Sequence, residues 1–413
     1  MRIAVYAIAL NEQAFAERFM ASCRDADLVL VADTGSTDST VQRLRTLGAD
    51  VRHIRIAPWR FDHARNAALN LVPQDVDVCV SLDLDQTLSH GWRPLIEAAW
   101  AKGATQLYYT HVFTQPGASG PVIFQDNRIH ARTGFAWDYP CHECLIPLWN
   151  VRHQAETDLR LKVLHAPDLT KSRGSYLLLL ELGVRERPND ARAAHYLGRE
   201  YYYLKRYREA AREFERYIAL SPDDGGYERN GTRRLLAHCR EELGDLDGAL
   251  AEFEAAVTDG PHMRGAWLSL AWAYHRRAAW ADCLTAAERA ISLRDDEAHY
   301  GDDSSPGVVA EDLACLASWS LGHPLTAWDY ARDALKKAPG NPRLLANLAR
   351  IEAALKREGP QAFGVSLKPL DEAGKPIETT AQRPSPPEAS PRRAADPSRS
   401  APRRVRSGQQ AKS

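Results

Sequence analysis

The sequence predicts a mostly parallel α/β domain followed by an all-α repeat solenoid and a disordered tail. Three observations carry this reading. Short β-branched runs alternate with amphipathic stretches in the first part of the chain, continuous helical periodicity takes over near residue 175, and Pro, Ser and Arg dominate after Gly359. The expected boundaries are 1–170, 175–358 and 359–413. With 413 residues, 44% hydrophobic and 26% charged, the chain suits two folded soluble domains. A formal net charge of -1 gives no reason to expect nucleic acid as a partner.

In the first domain the pattern places strands at 3–9, 28–32, 51–56, 78–82 and 106–113, and helices at 12–22, 38–47, 63–71 and 92–100. Each helix follows a strand, as in a Rossmann-like sheet, so the loops at the carboxyl ends of the strands should line the ligand crevice. The run Ile3 to Leu10 reads as a buried first strand, with no basic leader or cleavage site before it. No apolar run reaches the length of a transmembrane segment. A cytoplasmic location is the expectation, with a peripheral position at the inner membrane surface left open. The cysteines Cys23, Cys79, Cys141, Cys144, Cys239, Cys283 and Cys315 read as reduced core residues. The pair Cys141 and Cys144 lacks the second pair that a structural zinc site needs.

The second domain matches the tetratricopeptide pattern, whose period is roughly 34 residues. A first unit supplies Leu197, Gly198, Tyr201, Ala210, Phe214 and Pro222, and a second Leu236, Ala249, Phe253 and Pro261. Trp267, Leu270, Ala271, Tyr274 and Ala290 mark a third, and Ala327, Ala331, Ala334 and Pro339 a fourth. Pro261 and Asp295 lie 34 residues apart, whereas Pro222 to Pro261 spans 39 and Asp295 to Pro339 spans 44. Insertions are therefore expected near 223–229 and 299–308, and Asn341–Arg357 suits a closing helix. The aromatic stripe of Trp267, Trp272 and Tyr274 reads as repeat core, while the concave face of such a solenoid offers a site for a protein partner. The tail, with its Ser390-Pro391-Arg392-Arg393 and Arg403-Arg404-Val405-Arg406 clusters, cannot bury enough apolar area to fold.

Two motifs carry chemistry. Asp33-Thr34-Gly35-Ser36-Thr37-Asp38 ends the second strand and opens a helix: Gly35 permits a tight turn, Ser36 or Thr37 can cap the helix, and Asp33 at the strand end can meet a ribose or a base edge. Asp83-Leu84-Asp85-Gln86 places two carboxylates at the end of an apolar strand. Such charges destabilise a core unless something neutralises them, and a divalent cation held with a diphosphate does so.

With Leu10-Asn11-Glu12, Arg60-Phe61-Asp62 and Ala64-Arg65-Asn66 added to these motifs, residues 1 to about 165 resemble the family 2 glycosyltransferases of the GT-A fold, especially those with tetratricopeptide repeats fused behind. The resemblance implies an inverting transfer from a nucleotide-sugar, a UDP-sugar, assisted by Mn²⁺ or Mg²⁺, to a peptide, protein or glycan acceptor. It implies nucleotide contacts for Asn11, Glu12 and Asp33, a donor-side place for Arg65, a nucleotide or sugar contact for Asp83, and metal ligation by Asp85. Arg128-Ile129-His130 and Trp137 to Glu143 resemble the family's acceptor-side segment. Glu143 is the candidate base, with Asp138 and Asp126 in reserve; His142 and His165 are candidate metal or phosphate contacts. Two departures stand out: Gln86 where an acidic residue often closes the motif, and Tyr139-Pro140-Cys141 in place of a Gly-containing lead-in.

Three other readings remain. A nucleotidyltransferase would carry a basic Gly-rich loop after strand one, where this chain has Leu10-Asn11-Glu12. A non-catalytic repeat scaffold with a degenerate first domain would be expected to shed the costly Asp83 and Asp85 first. A transferase of lipopolysaccharide or cell-surface glycan synthesis would share the donor site.

Overall fold

Strict alternation along β1 (Ile3–Ala9) sets the two faces of the sheet in the computed structural model, which describes residues 1–114, 120–167, 174–221, 226–293 and 307–358. Ile3, Val5 and Ala7 are buried on one face and Ala4 and Tyr6 on the other, as a strand covered on both sides requires. β2 (Leu28–Asp33) and β4 (Val78–Ser81) flank β1 in parallel, and β3 (Asp50–His53) extends the sheet beyond β2. On the other side lie β5 (Gln86–Leu88), β6 (Gln106–Phe113), β7 (Val122–Ala131) and β10 (Ala155–His165), giving the order β3-β2-β1-β4-β7-β6-β10-β5. Only β7 and β5 run against the common direction, so the sheet is mixed, with its parallel half carrying the crevice.

α1 (Ala16–Ser22), α2 (Thr40–Thr46) and α4 (Trp92–Ala101) cover one face through Phe19, Leu44, Trp92 and Ile96. α3 (Phe61–Leu71) and a hairpin of β8 (Phe135–Asp138) and β9 (Cys144–Pro147) cover the other through Ala68, Leu69, Phe135, Trp137 and Leu145. Full burial of a ring such as Phe19 stabilises by roughly 1.5–3 kcal/mol. The third strand stops at His53 rather than 56, and α1 begins at Ala16 because Glu12 to Phe15 forms a turn. β5 and β7 to β10 had no counterpart in the sequence reading. β7 includes Gln125, Asp126, Asn127 and Arg128, and β10 alternates charged residues, so pairing with neighbours rather than propensity makes them strands.

After α5 (Tyr176–Glu186) come four antiparallel helix pairs: α6 (Ala191–Tyr203) with α7 (Tyr207–Leu220), α8 (Tyr227–Glu242) with α9 (Leu246–Asp259), α10 (Arg264–Arg276) with α11 (Trp280–Ser292), and α12 (Val309–Ser320) with α13 (Pro324–Lys337). α14 (Pro342–Glu358) closes the set. The pairs coincide with the four expected repeat units. Ala210, Phe214, Ala249, Phe253, Ala290, Ala327 and Ala334 are all buried between helices. A Cβ on Gly198 would stand 2.7 Å from the Phe214 ring, which is why that position carries no side chain. The first insertion is shorter than expected, since α8 already begins at Tyr227. Pro222, Asp295, residues 299–306 and the basic clusters of the tail lie outside the described residues. Met1–Arg357 forms one compact unit, and no described helix is long and apolar enough to cross a membrane.

Candidate active site at the carboxyl end of the sheet

The loops after β1 and β2 are sewn together by side chains. Asn11, at a positive φ of 55°, accepts the Thr37 amide at 2.7 Å on Oδ1, while its own amide donates to Ser36 Oγ at 2.9 Å. The buried Glu12 donates its amide to Thr40 Oγ1 at 2.7 Å. Asp33 is 1% exposed and accepts the amides of Gly35 at 3.1 Å and Ser36 at 3.2 Å, with His53 Nδ1 at 3.1 Å. A turn that its own carboxylate stabilises therefore accounts for Asp33, and those two amides are spent on it rather than open to an anion. Gly35, at φ 119°, supplies the backbone this turn demands. The N-cap position of α2 is Ser39, which makes no side-chain cap bond; Asp38, one residue earlier, accepts the Thr40 amide on Oδ1 at 2.9 Å, and neither Ser36 nor Thr37 caps the helix.

At the end of β4 a chain of charged groups forms. Arg65, on α3 and 4% exposed, donates Nη2 to Asp83 Oδ1 at 2.7 Å and Nε to Glu143 Oε1 at 2.5 Å. Arg128, on β7, reaches Asp83 Oδ2 and Asp126 Oδ2, each at 3.2 Å. Burial pushes the Asp83 carboxyl up, but the guanidiniums of Arg65 and Arg128 outweigh it and hold the group well below the usual carboxylate range. The same contest leaves Asp126 at about 2, burial being overcome by Arg128 and His111. Gln86, where the motif departs from an acid, acts as a neutral brace: its Oε1 accepts the Asp83 amide at 3.1 Å and its Nε2 donates to Asp83 Oδ2 at 3.2 Å.

A second arm leads from Asp126 to Asp85. His111 Nδ1 lies 3.2 Å from Asp126 Oδ2, His111 Nε2 lies 3.3 Å from His165 Nδ1, and His165 Nε2 lies 3.4 Å from Asp85 Oδ2. If His111 donates from Nδ1 to the carboxylate, its Nε2 accepts from His165 Nδ1–H. With Nδ1 as that donor, His165 Nε2 is the nitrogen left beside the Asp85 carboxylate. Two donor atoms facing each other across 3.4 Å suit a shared cation.

Glu143 and His142 diverge. The His142 ring stacks on Tyr196 of α6, centroids 4.3 Å apart, and His165 is the imidazole beside Asp85. Among the described residues no group of three His, Cys, Asp or Glu forms a metal cluster. Asp138 is engaged by Arg187 Nη2 at 2.6 Å and Asp126 by Arg128 and His111, so both reserve candidates for the base are held in ion pairs. Cys141 and Cys144 form no disulfide, and Cys141 is buried against Leu179 and Tyr196.

Below the charges, Trp137 presents its ring to Arg65 at 5.0 Å and to Arg128 at 5.8 Å. The ring is fixed by Nε1–H donating to Tyr6 Oη at 2.7 Å; Tyr6 in turn donates to His130 Nε2 at 3.0 Å, and His130 Nδ1–H donates to the Ala131 carbonyl at 2.8 Å. Burial lowers His130 to about 4. Sequence reasoning passed over His111 and His53. His111 shares the inward parity of Leu107 and Tyr109 on β6, and a histidine on the core-facing side of a strand was the available signal.

Residues 5–149 match the model of the family described as Glycosyl transferase family 2. No curated protein matches the chain. Among solved structures, the chain is similar to MamA at 16% identity and a TM-score of 0.34, covering 40% of this chain and 86% of that one. YrrB, described as a TPR protein with an unusual peptide-binding site, aligns at 16% identity and a TM-score of 0.34, covering 42% of this chain and 81% of that one. A thermophilic TPR protein in Thermus thermophilus aligns at 19% identity and a TM-score of 0.31, covering 44% of this chain and 90% of that one.

Proposed function

The chain carries a family 2 glycosyl transferase domain over residues 5–149, and from that premise we propose that it is a metal-assisted, inverting glycosyltransferase that takes a UDP-sugar or related nucleotide-sugar. The transferase unit is assigned to 1–170, the tetratricopeptide repeats to 175–358 and the tail to 359–413. The observation that carries the reading is the convergence of Arg65, Arg128, Glu143 and His165 on Asp83 and Asp85 beyond the end of β4.

Asp85 Oδ2 and His165 Nε2, 3.4 Å apart, are the oxygen and nitrogen donors that would hold a divalent cation. Mn²⁺ or Mg²⁺ held there would supply charge neutralisation for a departing nucleoside diphosphate. The residues of the chain do the rest. The β1 and β2 loops that Asn11, Glu12 and Asp33 shape are assigned to the nucleoside, Asp33 acting through the turn its carboxylate holds. Asp83, kept ionised by two guanidiniums, accepts hydroxyl hydrogens of ribose or sugar and orients the donor. Glu143, with Oε1 held by Arg65, takes the acceptor proton on Oε2, a step that contributes typically ~10²–10⁴ in rate. The stacked helix pairs offer a surface for a protein or peptide, as acceptor or as partner. A cytoplasmic location suits free nucleotide-sugar.

The test is calorimetric binding of UDP, GDP and their sugars, with and without Mn²⁺, to the full chain and to Asp85→Ala. Metal-dependent binding of one nucleotide class, abolished in Asp85→Ala, supports the reading. Absence of binding by every nucleotide under both conditions sinks it and leaves the repeat scaffold in its place.

A further inference from the structure

We infer that the first helices of the repeat domain are part of the active site: Arg187, Asp190, Arg192 and Tyr196 are positioning residues that hold segment 138–143, and through it Glu143. The inference rests on the assignment of Glu143 as base, and it adds that the base is set by helices outside the matched transferase domain.

Side-chain links tie the segment to α6 and the turn that follows α5. Arg187 donates to both oxygens of Asp138 at 2.6 and 2.7 Å, and its guanidinium lies 4.7 Å from the Tyr139 ring. Tyr139 Oη donates to Asp190 Oδ2 at 2.8 Å, while Asp190 Oδ1 caps α6 by accepting the Ala193 amide at 2.7 Å. Arg192 donates to the His142 carbonyl at 3.1 Å, and the His142 ring stacks on Tyr196 at an interplanar angle of 21°. Cys141, between them, is buried with Leu179, Leu180, Tyr196 and Leu197. The start of α3 adds to the grip: the Phe61 amide donates to the Pro140 carbonyl at 3.0 Å, and Arg60 is paired with Glu186 of α5.

The backbone supplies an independent observation. Tyr139 and His142, neither of them glycine, sit at φ 74° and 53°. Such conformations persist only where the surroundings over-determine them. The side chains that hold Tyr139 and His142 come from the repeat helices, at Arg187, Asp190, Arg192 and Tyr196. Next to these two turns the chain delivers Glu143 to Arg65. Releasing either turn lets the carboxylate drift, and a misplacement of about 1 Å costs on the order of 10²-fold in rate.

The experiment compares Tyr196→Ala, Tyr196→Phe and Tyr139→Phe with the parent in the full chain. Readouts are Mn²⁺-dependent UDP binding, turnover of a panel of UDP-sugars with water as acceptor, and hydrogen exchange. Tyr196→Ala should lower kcat by about 10²-fold with UDP affinity within twofold of the parent, Tyr196→Phe should restore kcat, and amides of 138–144 should exchange faster in Tyr196→Ala alone. Tyr139→Phe, which removes one hydroxyl from a folded site, should lower kcat by a few-fold. Unchanged exchange across 138–144 in Tyr196→Ala overturns the inference, as does parallel loss of UDP binding and kcat. Should the parent neither bind UDP nor turn over any sugar, the transferase reading fails by itself, and the exchange data still decide whether α5 and α6 hold the segment.

Discussion

Arg65 and Glu143 meet Nε to Oε1 at 2.5 Å, and the other edge of the same guanidinium holds Asp83 at 2.7 Å. One planar cation therefore sets the spacing between the candidate base and the first carboxylate of the Asp83-Leu84-Asp85 motif. Burial works against its charge, and Asp83 and Glu143 restore it. Nη1 remains buried with no hydrogen-bond partner, so the charge is held by the two carboxylates and the face of the Trp137 ring.

Replacement of Arg65 separates stability from geometry. In Arg65→Ala, Glu143 and Asp83 lose their common partner, and breaking a buried pair from one side costs roughly 3–5 kcal/mol. The urea midpoint should fall accordingly. Arg65→Lys keeps one charge but cannot span two carboxylates, because an ammonium is a point donor and a guanidinium a fork. It should recover much of the stability while turnover of a UDP-sugar stays down about 10²-fold. Parent-like turnover in Arg65→Lys would show that the spacing is not set by this side chain.

His130 predicts a pH dependence of stability. Its folded pKa is about 4, against roughly 6.5 when unfolded, so the unfolded chain binds the proton more tightly. The contribution is complete above pH ~6.5, falls as pH drops, and is exhausted near pH ~4, a total of about 3 kcal/mol. His130→Gln should reduce the difference in unfolding free energy between pH 7 and pH 4.5 by roughly 2–3 kcal/mol. Identical pH profiles for parent and variant would assign that limb to other groups.

What the sequence made legible follows from local physics. Alternation in Ile3–Ala9, the turn chemistry around Gly35 and the Ala and Phe spacing of the repeats are each written within a few residues, and the structure places them as expected. Asp83 and Asp85 were readable as charges at the end of an apolar strand, whereas Arg65, inside α3, was marked only by the family resemblance. The relation of His111 to His165 was not, because it depends on β6 pairing with β10 across a register shift between Thr157 and Lys162. Nor was the direction of the His142 ring, stacked on Tyr196. Its direction is decided by Tyr196, more than fifty residues on, through a helix whose docking no local pattern encodes.

Gly198→Ala tests the repeat packing. The new Cβ would lie 2.7 Å from Cδ1 and Cε1 of Phe214 and 3.3 Å from Cβ of Glu213, and the ring is fully buried. Overpacking of this kind costs typically ~1–3 kcal/mol, outweighing the roughly 1 kcal/mol that alanine gains over glycine in a helix. Calorimetry should show a lower Tm in the variant. A higher Tm would mean that Phe214 has room to move and that the helix pair is looser than its burial implies.

Asp85 and His165 make the last prediction, which sets one imidazole against another. His165 Nε2 stands 3.4 Å from Asp85 Oδ2, and its other nitrogen is fixed by His111 at 3.3 Å. A ring oriented in that way is prepared to share a cation with the carboxylate, whereas His142 is committed to Tyr196. His165→Ala should therefore weaken Mn²⁺-dependent UDP binding at least about 10-fold, and His111→Ala, which removes the partner that fixes the ring, should weaken it by a smaller factor in the same direction. His142→Ala should leave UDP affinity at the parent value. If His142→Ala abolishes the metal dependence and His165→Ala preserves it, the pairing of Asp85 with His165 is a structural ion pair, and the cation belongs beside Cys141 to Cys144.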